Sequence, residues 1–124
     1  PLKGRNAMPL IIITDDEPMN IRMTEFVLRK YGYSTVSAGS GEECVALAEK
    51  GADLILMDVL MPGMDGLQTY EKLRSCGIGI PVIFLTSAED AETVEKIRST
   101  NSGVLSKPFR PEQLLSEVRA ALAE

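Results

Sequence analysis

Histidine and tryptophan are missing from all 124 residues, and only two cysteines occur. Cys44 and Cys76 share no metal-type spacing, and a chain without histidine lacks the ordinary donors of a zinc site, so zinc chemistry is disfavoured. Both cysteines sit inside periodic segments and read as reduced, packed thiols of a cytosolic protein. No apolar run approaches the ~18 residues of a membrane span, and no secretory signal pattern is present; the expected setting is cytoplasmic, without membrane contact. A basic block is lacking as well. With 13 Lys and Arg against 18 Asp and Glu, the formal net charge is −5, which argues against a nucleic-acid surface within this domain.

What is present fits one soluble domain. The length lies in the ~100–150 residue range of single domains, and the hydrophobic fraction of 44% can build a core without staples. Residues 1–8, "PLKGRNAM", show no periodicity and read as an unstructured extension or an added remnant, leaving 9–124 as the domain. The chain opens on Pro1 rather than Met, as a piece of a longer protein would, and a further domain beyond its C-terminus is left open.

Short apolar runs bounded by turn residues read as buried strands: "LIII" (10–13), "LILM" (54–57) and "VIFL" (82–85). Two weaker strands are "STVSA" (34–38), alternating like an edge strand, and "GVLS" (103–106). Helical periods lie between them. Met19, Met23, Phe26, Val27 and Tyr31 mark one face of a first helix. "SGEE" (40–43) reads as a capping box, with Ser40 as N-cap and Glu43 reaching back, opening a helix through Cys44, Val45 and Ala48. Leu67, Tyr70 and Leu73 mark a third helix and Val94 and Ile97 a short fourth. Leu114, Leu115, Val118, Ala121 and Leu122 mark a fifth after Pro111. Strands alternating with helices imply an α/β fold: a doubly wound, flavodoxin-like five-stranded parallel sheet of order 2-1-3-4-5.

In such a sheet, ligands bind outside the carboxyl ends of the strands. Strand one ends in Asp15 and Asp16, strand three in Asp58, strand four in Thr86 and Ser87, and strand five in Lys107, so four polar clusters meet at one rim. Three converging carboxylates repel unless cations share the site, and Lys107 supplies a single charge. A hard divalent cation, Mg²⁺ where phosphate is handled, is the natural complement. A carboxylate beside Mg²⁺, a lysine and a hydroxyl is equipped to accept a phosphoryl group. Taken singly, Asp15 and Asp16 fit helix caps, Asp58 a turn cap, and Thr86-Ser87 a turn before a helix capped by Asp90. Those separate readings do not predict acids, hydroxyl and lysine at the ends of four different strands.

The motifs "TDDE", "MDVLMPGMDG", "LTSA" and "SKPF", in this order and at these strand ends, resemble the receiver domain of bacterial two-component response regulators, over roughly residues 9–123. The resemblance implies that Asp58 is the phosphoacceptor, supplied by the phosphohistidine of a sensor histidine kinase or phosphotransfer protein. Asp16 and Asp58 would ligate Mg²⁺ through their side chains, Leu60 through its backbone carbonyl and Asp15 through water. Lys107 and Thr86 would contact the phosphoryl oxygens, and the Lys107–Pro108 peptide would be cis. Such a domain catalyses only its own phosphotransfer and slow dephosphorylation. It switches an output domain or effector through the face of helix four, strand five and helix five, which is also a possible homodimer surface.

The chain departs from the pattern at Val104, where the family usually has Tyr or Phe, at "TNSG" (100–103), which lacks the usual Gly-Ala, and at Ser87, commonly Ala. These changes put the coupling of Thr86 to an aromatic in doubt but leave each proposed ligand in place. The alternative is a degenerate receiver acting as a phosphorylation-independent docking module. A haloacid-dehalogenase-like phosphatase would need a second Asp at position 60, which is Leu. "GSGEEC" (39–44) is an incomplete dinucleotide fingerprint, since Cys44 stands at the third glycine position.

Overall fold

Five strands and five helices alternate along the chain in the computed structural model, which describes residues 8–123. Of the expected extension 1–8, all but Met8 lies outside the described residues. The elements are β1 (Leu10–Thr14), α1 (Pro18–Lys30), β2 (Ser34–Ala38), α2 (Gly41–Glu49), β3 (Leu54–Asp58), α3 (Gly66–Ser75), β4 (Val82–Thr86), α4 (Ala91–Ser99), β5 (Gly103–Ser106) and α5 (Pro111–Ala121). The sheet is wholly parallel with order β2-β1-β3-β4-β5, as the alternation predicts.

The three central strands are covered on both faces, so their sequences are continuously apolar rather than alternating. Alternate residues divide between two cores. Ile11, Ile13, Leu56, Ile83 and Leu85 pack on one side with Leu28, Leu114 and Val118 of α1 and α5. Ile12, Ile55, Met57 and Phe84 pack on the other with Cys44, Leu73 and Ile97 of α2, α3 and α4. Each of these large side chains contributes about 1.5–3 kcal/mol on burial. The register sets Thr14 beside Met57, Asp58 beside Leu85, and Thr86 beside Ser106, so the strands end at a common level.

Three local expectations are corrected. On α1, Met19, Met23, Phe26 and Tyr31 are 59, 62, 72 and 51% exposed, and of the expected face only Val27 packs on the core. The packed stripe runs through Ile21, Thr24, Val27 and Leu28. Thr24 occupies a core position with a polar residue type, which disguises the true stripe and leaves a false one. Ser40 caps α2 by accepting from Glu43 N at 3.2 Å, but the Glu43 carboxylate accepts from Gly39 N at 2.6 Å, one residue before the cap. Cys44 is buried as expected, whereas Cys76, at the C-cap of α3, is exposed.

Candidate phosphoacceptor site

Asp58 is the last residue of β3, and the turn that follows folds back over it. Val59 N donates to Leu85 O at 3.0 Å and Gly66 N to Val59 O at 2.9 Å, pinning the turn's two ends. A Cβ on Gly66 would lie 2.8 Å from Val59 Cα and 3.0 Å from the Asp58 carbonyl carbon, so only glycine lets α3 start this close to the acid. Gly63 has φ +73°, the left-handed conformation that turns the "MPGMDG" segment round. Asp65 then closes a full capping box with Gln68, which the sequence reading did not identify.

The predicted rim assembles. Asp15, Asp58 and Thr86 are buried, at 3, 6 and 5% exposure, and Asp16 is exposed. Carboxylate oxygens of Asp15, Asp16 and Asp58 lie within 4.8 Å of one another. Lys107 Nζ bridges two of them, at 3.2 Å from Asp58 Oδ2 and 3.5 Å from Asp15 Oδ2. Neither Asp15 nor Asp16 caps α1; Asp15 Oδ1 instead accepts from Glu17 N at 2.9 Å, which fixes the carboxylate's direction. Leu60 is held beside the acid by its N–H, which donates to Asp58 Oδ1 at 3.3 Å, while its side chain is 57% exposed. Lys107 N donates to Thr86 O at 2.9 Å, locking these two residues together, and the Lys107–Pro108 peptide is cis as expected. Thr86 Oγ1 accepts from Ala88 N at 2.8 Å, leaving its hydroxyl proton available to donate.

Burial pushes the Asp58 carboxyl above its ordinary value; Lys107 opposes this and the Asp15 carboxylate adds to it. One ammonium thus stands against three carboxylates. The donor set is all oxygen and tightly grouped, with neither thiol nor imidazole, which fits a hard divalent cation.

One feature beside the site was not visible in the sequence. A cavity of about 410 Å³ opens between α1 and the β5–α5 turn, walled by Met23, Val27, Phe109 and Leu114, with Asp15 and Lys107 also lining it. Phe109 closes the "SKPF" motif and Met23 and Val27 belong to the expected α1 face, but a cavity between them depends on how α1 sits against the β5–α5 turn, which no spacing along either segment encodes.

Comparison with known proteins agrees with this geometry. A family model described as the response regulator receiver domain matches residues 11–119. The DNA-binding response regulator MtrA of Mycolicibacterium smegmatis is 36% identical over 116 residues, which are 90% of this chain and 50% of that protein. An uncharacterized transcriptional regulatory protein, YbdJ, of Bacillus subtilis is 33% identical over 112 residues, again 50% of its length. The chain therefore spans about half the length of these relatives. Among solved structures, the Vibrio cholerae chemotaxis protein CheY4 superposes with a TM-score of 0.86 at 31% identity, covering 94% of this chain and 100% of that one. A CheY-like receiver domain from Methanospirillum hungatei gives 0.79 at 28% identity, covering 92 and 94%. The chain belongs to the response regulator receiver domain family.

Proposed function

We propose that Asp58 accepts a phosphoryl group from the phosphohistidine of a sensor histidine kinase or phosphotransfer protein in a Mg²⁺-dependent step. The observation that carries this is the buried Asp58 carboxylate held between two further carboxylates and the Lys107 ammonium at 3.2 Å. Packing alone gives no reason to gather three acids and one base where three strands end. In the reaction, an Asp58 carboxylate oxygen attacks phosphorus, the P–N bond to the donor imidazole breaks, and an acyl phosphate forms. A divalent cation held by Asp16, Asp58 and the Leu60 carbonyl, with Asp15 through water, would neutralise charge on the group in transfer. Lys107 offers its ammonium to the phosphoryl oxygens and Thr86 its hydroxyl proton.

The exposed row Met19, Met23 and Phe26 on α1 offers the phosphodonor an apolar surface beside the site, since Met23 and Asp15 line the same cavity. No described helix is long and apolar enough to cross a membrane. The output domain or effector engages the α4-β5-α5 face, where a homodimer would also form, and the domain itself makes no nucleic-acid contact.

Intact-mass analysis after incubation with acetyl phosphate tests the proposal. One added phosphoryl group, present only with Mg²⁺ and absent in Asp58→Asn, is expected. No addition to a protein shown to be folded would transfer support to a phosphorylation-independent docking module.

A further inference from the structure

The α4 helix is weakly held along its length: it buries Ile97 alone among its residues, and among the described residues its exposed charges form ion pairs only with one another. Its two ends are tied differently. At the front, Thr86 Oγ1 accepts from Ala88 N at 2.8 Å, fixing the segment that leads into the Asp90 cap. At the back, Tyr70 of α3 reaches across, and its hydroxyl donates to the carbonyl of Thr100, the C-cap of α4, at 3.4 Å.

The Tyr70 ring is well supported. It lies 5.6 Å from the Phe84 ring, centroid to centroid at 56°, and the Arg74 guanidinium stands 4.6 Å over its centroid. Arg74 is itself anchored by donating to Ile78 O at 2.8 Å. Phe84 and Thr86 are two residues apart on β4 and so share a face of the sheet. Phe84 pairs in register with Val104 and Thr86 with Ser106, so this aromatic pair sits on the side of the sheet from which Thr86 projects. Thr100 is stiffened by its own hydroxyl, which donates to Ile97 O at 2.6 Å and accepts from Ser102 N at 3.2 Å. A pull on Thr100 is therefore a pull on the whole α4–β5 turn. At 3.4 Å the Tyr70 bond is well beyond the ~2.7–2.8 Å optimum for a hydroxyl donor, so it opens readily.

We propose that Tyr70 is a positioning residue for the switch: its hydroxyl latches the C-terminal end of α4 to α3 in the unphosphorylated domain and releases it when a phosphoryl group on Asp58 draws Thr86 away from Ala88. This rests on the phosphoacceptor reading above. The two ties act on one short helix of nine residues, so loss of the front tie loads the back one. Val104, 45% exposed on β5, presents no ring to do this work, whereas Tyr70 presents one already braced on β4 through Phe84.

The test is amide hydrogen exchange at Asn101 and Ser102 in the wild type and Tyr70→Phe, each with and without acetyl phosphate and Mg²⁺, with intact mass read on the same samples. Phenylalanine keeps the ring and its contacts and removes only the donor. Exchange in unphosphorylated Tyr70→Phe should be faster by roughly 2- to 10-fold, the range of one neutral hydrogen bond, and the two proteins should coincide once phosphorylated. By reciprocity the variant should also favour the phosphorylated state at equilibrium with the phosphodonor, by no more than the same factor. An equal acceleration in both states would assign Tyr70 a purely structural role and overturn the latch. No acceleration in either state would do the same. Absence of phosphoryl uptake in both proteins would instead overturn the phosphoacceptor reading, and the latch with it.

Discussion

Replacing Lys107 by methionine keeps the length and apolar stem of the side chain and removes the single ammonium that, among the described residues, faces the carboxylate cluster. Its Nζ lies 3.2 Å from Asp58 and 3.5 Å from Asp15, and at an effective dielectric constant of about 20 each contact is worth ~5 kcal/mol in gross Coulomb terms. Most of that is offset by the ammonium's own lost hydration. Breaking a buried pair from one side costs about 3–5 kcal/mol, and the Lys107 side chain is 24% exposed, so water takes up part of the loss. The expected destabilisation without divalent cation is about 2–4 kcal/mol, which for a chain this size lowers Tm by roughly 10 °C. That leaves a folded protein, since domains carry about 5–15 kcal/mol of stability.

Mg²⁺ should reverse much of the deficit. Lys107 repels the cation, so the variant binds it more tightly than wild type does and gains more from its binding. The assay is urea unfolding followed by far-ultraviolet circular dichroism, for both proteins, with chelator and with excess Mg²⁺. A deficit of the same size under both conditions would refute the electrostatic account, because it would show that lysine and cation do not answer the same carboxylates. A deficit below about 0.5 kcal/mol in chelator, the size of an ordinary surface substitution, would refute it as well.

Two other outcomes are expected. On α1, Leu28→Ala should cost about 2–5 kcal/mol while Met23→Gln and Phe26→Gln each stay within ~0.5 kcal/mol by urea midpoint; a Phe26 variant as damaged as the Leu28 variant would reverse the assignment of the packed face. If Asp58 accepts a phosphoryl group as proposed, its neighbours Leu60 and Ala88 offer no group to orient an attacking water, so the acyl phosphate should be long-lived. Leu60→Asn should shorten its half-life by roughly 2- to 10-fold, the effect of one added hydrogen bond on the barrier, and equal half-lives by timed intact mass would sink the idea.

Strand positions were legible because β1, β3 and β4 are buried on both faces, and a two-sided burial writes itself as an unbroken apolar run. The gathering of Asp15, Asp16, Asp58, Thr86 and Lys107 was legible for a related reason: parallel strands in this order must end together, so residues following each run meet without any local signal linking them. The face of α1 was not legible. Periodicity scores residue types, and with Thr24 in the core and Met19, Met23 and Phe26 in solvent, the types point to the wrong side. Cys76 misled for the converse reason, standing at a helix end where periodicity carries no information about burial. Tyr70 was placed on the packed side of α3, yet its reach to Thr100 depends on the relative setting of two helices, which no spacing along one of them encodes.

The stretch "LILMDVLMPGMDG" shows how the fold and its chemistry oppose each other at one residue. An apolar run carries Asp58 to the sheet's edge, and Gly66 lets the returning chain press α3 against the acid's own backbone. Both raise its burial, and burial is what disfavours the carboxylate there. A core built only for stability would place an apolar residue at 58, or leave its acid in water. Lys107 relieves the conflict in part, and a bound cation or phosphoryl group changes the charge the cluster must accommodate. On the proposed reading, the same unresolved charge that costs stability is what would make the site responsive. A domain with Asp58 fully neutralised by its own side chains would be more stable, and a phosphoryl group would have less charge left to rearrange.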